Sequence, residues 1–166
     1  MNHETAAPVE QRHGKGSSLR ETSDFVSVVV GDQLFGIPVL EVRDVLASQR
    51  ITRVPLAPAE IGGVINLRGR IVTLIDLRCR FGMPPRANGA AVMAIGVESG
   101  GESYGLMIDN IGEVLRLSES DREPNPINLD PGLARISSGI HRLDGRLLMV
   151  IDVERVLDIG PAAKAA

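Results

Sequence analysis

The chain has 166 residues, of which 43% are apolar and only 2% aromatic, and its formal net charge is −3. The apolar share supports a packed core, the shortage of aromatics excludes base-stacking recognition of single strands, and the missing basic excess excludes a grip on a phosphate backbone. A single cysteine, Cys79, excludes an internal disulfide and a cysteine zinc cluster. No apolar run reaches the roughly 18 residues of a spanning helix, and Met1 to Glu21 lacks the apolar segment of a secretory leader. A soluble cytoplasmic protein is the expectation.

In chain order, residues 1–23 are polar and aperiodic and read as a disordered tail. Phe25 to Val30 is β-branched, Gly31-Asp32 turns, and Gln33 to Ile37 returns, which predicts a hairpin. Pro38 followed by Val39, Val42 and Leu46 at helical spacing predicts a short helix from Pro38 to Leu46. Ile51 to Val54 reads as a strand stopped by Pro55 and Pro58. Gly62 to Leu67 and Ile71 to Ile75 flank the turn Arg68-Gly69-Arg70. Residues 82–90 form a linker, and strands are expected at Ala91–Val97, Ser103–Ile108 and Val114–Leu117. Residues 118–135 hold three prolines and read as loop. Ile136–His141 and Leu147–Val153 form a last hairpin, residues 154–158 start a short helix, and 160–166 read as a flexible end.

The chain repeats itself. Shifted by 76, Gly63 falls on Gly139, Gly69 on Gly145, Arg70 on Arg146 and Asp76 on Asp152. Shifted by 69, Gly31 falls on Gly100, Phe35 on Tyr104, Gly36 on Gly105 and Leu46 on Leu115. This predicts a mainly β protein of two related units, near 25–80 and 91–157, open to exchanging strands. Five short strands each suit small barrels that hide their edges. Such units are marginal alone, so they are expected to share apolar surface along Leu74, Ile75, Val150 and Ile151, with the groove between them as the natural binding site.

Candidate chemistry is sparse. Asp76 and Asp152 are equivalent carboxylates, as a hydrolase would need, but neither is followed by the Thr/Ser-Gly of aspartic proteases, and both are placed to cap a helical turn. Ser137, Ser138, His141 and Asp144 lie close together without a nucleophile elbow. Cys79 reads as a small buried apolar residue. No metal-ligand spacing or phosphate loop is present. Sixteen of the eighteen basic residues are arginine. The Arg68-Gly69-Arg70 tip, with Arg78 and Arg80, reads as a protein-contact surface, with Val42 and Val45 offering an apolar complement.

Phe35-Gly36-Ile37-Pro38-Val39 with Val42, then Gly63-Val64-Ile65-Asn66-Leu67-Arg68-Gly69, then Ile75-Asp76-Leu77-Arg78, resemble the CheW family of chemotaxis coupling proteins over about residues 24–159. The resemblance implies two five-stranded SH3-like β-barrels, no enzyme activity and no cofactor. It implies a cytoplasmic adaptor, at receptor arrays beneath the inner membrane, that bridges chemoreceptor signalling tips to the regulatory domain of a CheA-type histidine kinase. It implies receptor-binding roles for Val42, on the receptor's apolar face, for Gly63, allowing close backbone approach, and for Arg68. Asp44 stands where the family often has Glu, a shorter reach to the same contact. The kinase face is not assigned to residues. Two other readings stand beside this one: an adaptor of the same fold in type IV pilus motility or biofilm signalling, and, remotely, a hydrolase using Asp76 and Asp152. A generic peptide-binding barrel is weakened by the scarcity of aromatics.

Overall fold

Runs of β-branched and aliphatic residues, cut short by turn residues, set the architecture. The computed structural model describes residues 21–47, 50–87 and 92–159. Ten strands carry most of that length: β1 (Thr22–Val30), β2 (Gln33–Pro38), β3 (Asp44–Ala47), β4 (Ile61–Leu67), β5 (Arg70–Asp76), β6 (Met93–Ser99), β7 (Glu102–Ile108), β8 (Asn110–Ser118), β9 (Ser137–Leu143) and β10 (Arg146–Ile151). Three short helices join them: α1 (Leu77–Arg80), α2 (Pro131–Ile136) and α3 (Val153–Leu157). Of the expected tail 1–23, residues 1–20 lie outside the described residues, while Thr22 and Ser23 are not tail but the start of β1, paired with Ser118 and Leu117. The expected flexible end 160–166 and Asn88, Gly89, Ala90 and Ala91 of the linker and strand start also lie outside the described residues.

The strands form two five-stranded sheets, ordered β8-β1-β2-β10-β9 and β3-β6-β7-β5-β4. The two orders are one order. Replacing each strand by its repeat counterpart (β1 by β6, β2 by β7, β3 by β8, β4 by β9, β5 by β10, and the reverse) converts one sheet into the other. Each sheet therefore takes its central hairpin from one repeat and its other three strands from the other repeat. The registers agree with this. Met149 pairs with Phe35 as Thr73 pairs with Tyr104, and Val26 pairs with Val114 as Ile95 pairs with Val45.

Alternation along the strands sorts the apolar residues into three cores. A small core inside the first sheet holds Phe25, Leu34, Leu148 and Val150. Its counterpart in the second sheet holds Leu46, Ile65, Val72, Leu74, Ala94 and Met107. The large core between the sheets holds residues from both, among them Val28, Phe35, Ile75, Phe81, Leu106, Ile140 and Ile151. Of the four residues expected to be shared, Ile75 and Ile151 lie between the sheets, while Leu74 and Val150 face the small cores. Neighbouring strand residues cannot both face one core. The interior between the sheets is filled by this core, and Val42 packs against it.

Three expected elements inside the chain are corrected. The helix expected over Pro38–Leu46 is one 3-10 turn, Val39–Glu41, followed by β3, because Asp44–Ala47 completes a ladder with Met93–Gly96. Cross-strand pairing outweighs the helical spacing of Val39, Val42 and Leu46. The strand expected at Ile51–Val54 is a single bridge, Thr52 to Val64. The 118–135 loop contains α2, whose first turn is capped by Asp130 on the Gly132 amide at 3.1 Å, with Pro131 at the first helical position.

Candidate functional site

The tip between β4 and β5 is a turn in which Arg68 and Gly69 both have positive φ, 54° and 83°. Such a turn follows the twist of the strands but favours Asn or Gly at its first central position. Arg68 is exposed there, and the Asn66 side chain fixes the turn by accepting from the Gly69 amide at 2.9 Å. A long side chain kept in a strained conformation at an exposed tip points to a role outside folding. Arg68→Gly is expected to raise stability by about 1 kcal/mol, read as a higher urea midpoint.

Arg68 overlooks a cleft of about 120 Å³ at one end of the second sheet. Its walls include Leu46, Leu67, Val72 and Val97, and its mouth carries Arg43, Asp44, Arg68 and Arg70. The structure thus joins two of the residues the sequence singled out, Asp44 and Arg68. Asp44 starts β3 and accepts from the Val45 amide at 3.1 Å. Val45 is half exposed on the same short strand. Val42 and Gly63 are not in the cleft. Gly63 is buried at a bulge in β4, with φ 138°, and its missing side chain makes room for this chain's own Ile51 and Thr52.

The remaining arginines of the expected contact surface have internal work. Arg78 grips Asp109 with Nε at 3.0 Å and Nη2 at 2.8 Å, and Arg86 adds Nη2 at 2.9 Å. The Gly31 amide donates to the same carboxylate at 2.6 Å. Burial pushes the Asp109 carboxyl up, but the bonds from Arg78, Gly31 and Arg86 outweigh it and hold it below the usual range. Arg80 donates to the carbonyls of Arg155, Val156 and Asp158, closing the C-terminal end of α3. Asp109 was not singled out from sequence. Its partners lie 23 and 31 residues away in the chain, and only the fold brings them together.

The candidate catalytic groups resolve into structural parts. Asp76 accepts from the Arg78 and Cys79 amides and caps α1; Asp152 accepts from the Arg155 amide and caps α3. The Ser137 hydroxyl bonds to Asn125 at 2.7 Å rather than to His141. Asp144 is exposed at its turn. Cys79 is exposed, correcting the expected buried position. It sits on the outer face of a one-turn helix whose buried member is Leu77. Partial desolvation, then Glu60 and Asp76, raise its thiol pKa, which disfavours a nucleophilic thiolate. Among the described residues no group of His, Cys, Asp and Glu is arranged to hold a metal, and no helix is long and apolar enough to cross a membrane.

His141 is 2% exposed, packs on Phe25 at 5.8 Å, and its Nε2 has no hydrogen-bond partner among the described residues. Burial, then the Arg122 charge, lower its pKa from the ordinary 6.5, against the opposing pull of Glu119, Asp121 and Glu123. The unfolded chain therefore binds this proton first. His141 contributes its full stability above pH 6.5 and loses it as pH falls through the lowered folded value. His141→Phe is expected to flatten the dependence of the melting temperature between pH 7.5 and 5, roughly the window in which histidine titrates. An equal slope in both proteins would refute this role.

A pseudo-twofold body of two five-stranded sheets that share one core places the chain among mainly β, double-sheet folds. The CheW-like domain family model matches residues 24–160. The chain belongs to this family. It is 30% identical over 143 residues to chemotaxis protein CheW of Helicobacter pylori, covering 86% of each chain. It is 29% identical over 134 residues to chemotaxis protein CheW of Klebsiella aerogenes, covering 81% of each. The crystal structure of the scaffolding protein TtCheW from Thermoanaerobacter tengcongensis superposes with a TM-score of 0.75 at 30% identity, over 84% of this chain and 95% of that one.

Proposed function

We propose that this chain is a non-enzymatic adaptor that couples chemoreceptor signalling tips to the regulatory domain of a CheA-type histidine kinase, in the cytoplasm at receptor arrays. The observation that carries the reading is the Arg68 tip, exposed, strained and set beside Asp44 on a body whose two sheets share one core. Val42 offers an apolar neighbour at the core's margin. Gly63 acts from beneath, by seating the 51–52 segment. A body of this kind transmits a change in receptor pose to the kinase by geometry, and many weak contacts in an array add by avidity.

The test is direct binding of the purified chain to a chemoreceptor signalling-tip fragment and, separately, to the kinase regulatory domain. Both are expected to bind. Arg68→Glu is expected to weaken tip binding about tenfold or more, the scale of about 1.4 kcal/mol, with an unchanged melting curve and unchanged kinase binding. Binding to neither partner by folded protein overturns the adaptor reading; unchanged tip binding by the variant overturns the role of Arg68.

A further inference from the structure

The two sheets obey one plan, so their differences are informative. At one end of the first sheet, Leu34 on β2 is 9% exposed and closes the small core beside Leu148 and Val150, with Val29 packed against it. The matching positions in the second sheet are Ser103 on β7 and Glu98 on β6. The match is fixed by the hairpin registers, in which Val29 faces Leu34 and Glu98 faces Ser103. Further in, Ala94 stands where the first sheet has Phe25. A leucine and a valine that seal one barrel end are replaced by a serine and an exposed glutamate at the other. The same fold fills this space elsewhere, so the opening is not demanded by the backbone.

The opening is the cleft beneath Arg68. Its largely apolar walls hold about 120 Å³, below the roughly 150 Å³ that admits benzene in a dry cavity and enough for a branched aliphatic side chain. At its mouth Arg43 and Arg68 are exposed and pair with no carboxylate among the described residues. Arg70 meets Glu98 only at 3.6 Å, both side chains well exposed. Two carboxylates share the rim, Asp44, which accepts from its own strand's Val45 amide, and Glu98, which faces Arg70. Three guanidinium groups outnumber them, so the rim complements an apolar side chain with a carboxylate beside it.

We infer that this cleft is an anchor pocket that takes one leucine-sized side chain from an acidic partner segment, with Arg43 and Arg68 gripping the flanking carboxylates. The inference rests on the receptor-binding reading and deepens it, because it places the anchor inside the second sheet rather than on Val42 at the margin between the sheets.

The test uses the full chain and the receptor-tip fragment. Ser103→Leu installs the residue that seals the first sheet. It is expected to weaken tip binding about tenfold or more, while leaving kinase binding intact and the melting temperature equal or higher. Arg43→Glu changes only an exposed head group and is expected to weaken tip binding several-fold, about the effect of losing one rim charge pair. Tip binding unchanged in Ser103→Leu, or in Arg43→Glu should Ser103→Leu fail to fold, overturns the anchor pocket and leaves the receptor reading standing. Absence of tip binding by the parent chain overturns both.

Discussion

Asp109→Ala is expected to destabilise the fold by about 2–3 kcal/mol, the scale of charge-assisted hydrogen bonds lost at a partly buried cluster. The carboxylate joins four parts of the chain. Gly31 lies in the β1–β2 turn, Arg78 in α1, Arg86 in the segment after α1, and Asp109 itself between β7 and β8. The side chains of Arg78, Arg86 and Asp109 are 23%, 11% and 17% exposed, so water recovers only part of what the variant loses. Two guanidinium groups and one amide would lose their acceptor together. The exposed pair Arg116–Asp24, 72% and 38% accessible, is the control. Asp24→Ala is expected to leave the urea midpoint nearly unchanged, because water screens an exposed pair. Urea unfolding of the two variants separates these outcomes, and a loss below about 1 kcal/mol in Asp109→Ala would refute the clamp.

The same cluster sets an acid limit. The folded Asp109 carboxyl titrates below its ordinary 3.8, so its stabilisation is complete above that value and is lost as pH falls through the lowered folded value. The parent chain is expected to lose stability across that window faster than Asp109→Ala does. Parallel acid-unfolding curves would contradict this assignment.

What could be read from sequence was the part written locally or by repetition. Hairpins at Gly31-Asp32, Gly100-Gly101 and Asp144-Gly145 follow from turn residues between apolar runs, and all three are formed. The internal repeat gave the strand equivalences, and the sheet orders repeat them. Strand exchange between the repeats was open from the sequence, but which hairpins exchange was not legible. Each repeat carries the strands of a whole unit, and only long-range pairing decides which copy they join. β3 was hidden because four residues are too few to show a period of two against a helical spacing. α2 had a readable signal in Asp130-Pro131, a cap followed by proline, that the density of prolines masked. At the site, Arg68 stood out because a turn and a motif coincide there. Ser103, Glu98 and Ala94 did not, because their meaning lies in departures from Leu34, Val29 and Phe25. Arg78 and Arg80 showed charge but not partners, since Asp109 and the end of α3 reach them only through the fold.

Gly63→Ala offers the second large effect, and it separates two roles for this glycine. A methyl group there would sit 2.5 Å from Ile51 Cγ2 and 2.7 Å from the Thr52 carbonyl oxygen. The isoleucine can shift, but the carbonyl is held by the bridge in which Val64 donates to Thr52 at 2.8 Å and Thr52 donates to Val64 at 2.9 Å. With φ at 138°, the backbone adds strain of about 1–3 kcal/mol, so a total near 2–4 kcal/mol is expected once the displaced bridge is included. Gly139, its counterpart, meets the Glu123 carbonyl at 2.9 Å and should behave alike. Gly69, at φ 83° with nothing within 4 Å, should cost only about 1 kcal/mol when changed to alanine. Hydrogen exchange then locates the damage. The Thr52 and Val64 amides are expected to lose protection in Gly63→Ala, while amides of β1 and β2 in the other sheet keep theirs. Tip binding should weaken in step with that local loss, because the side chain's direction is already occupied by this chain and admits no partner. Weakened binding with Thr52 and Val64 fully protected would instead make Gly63 a direct contact.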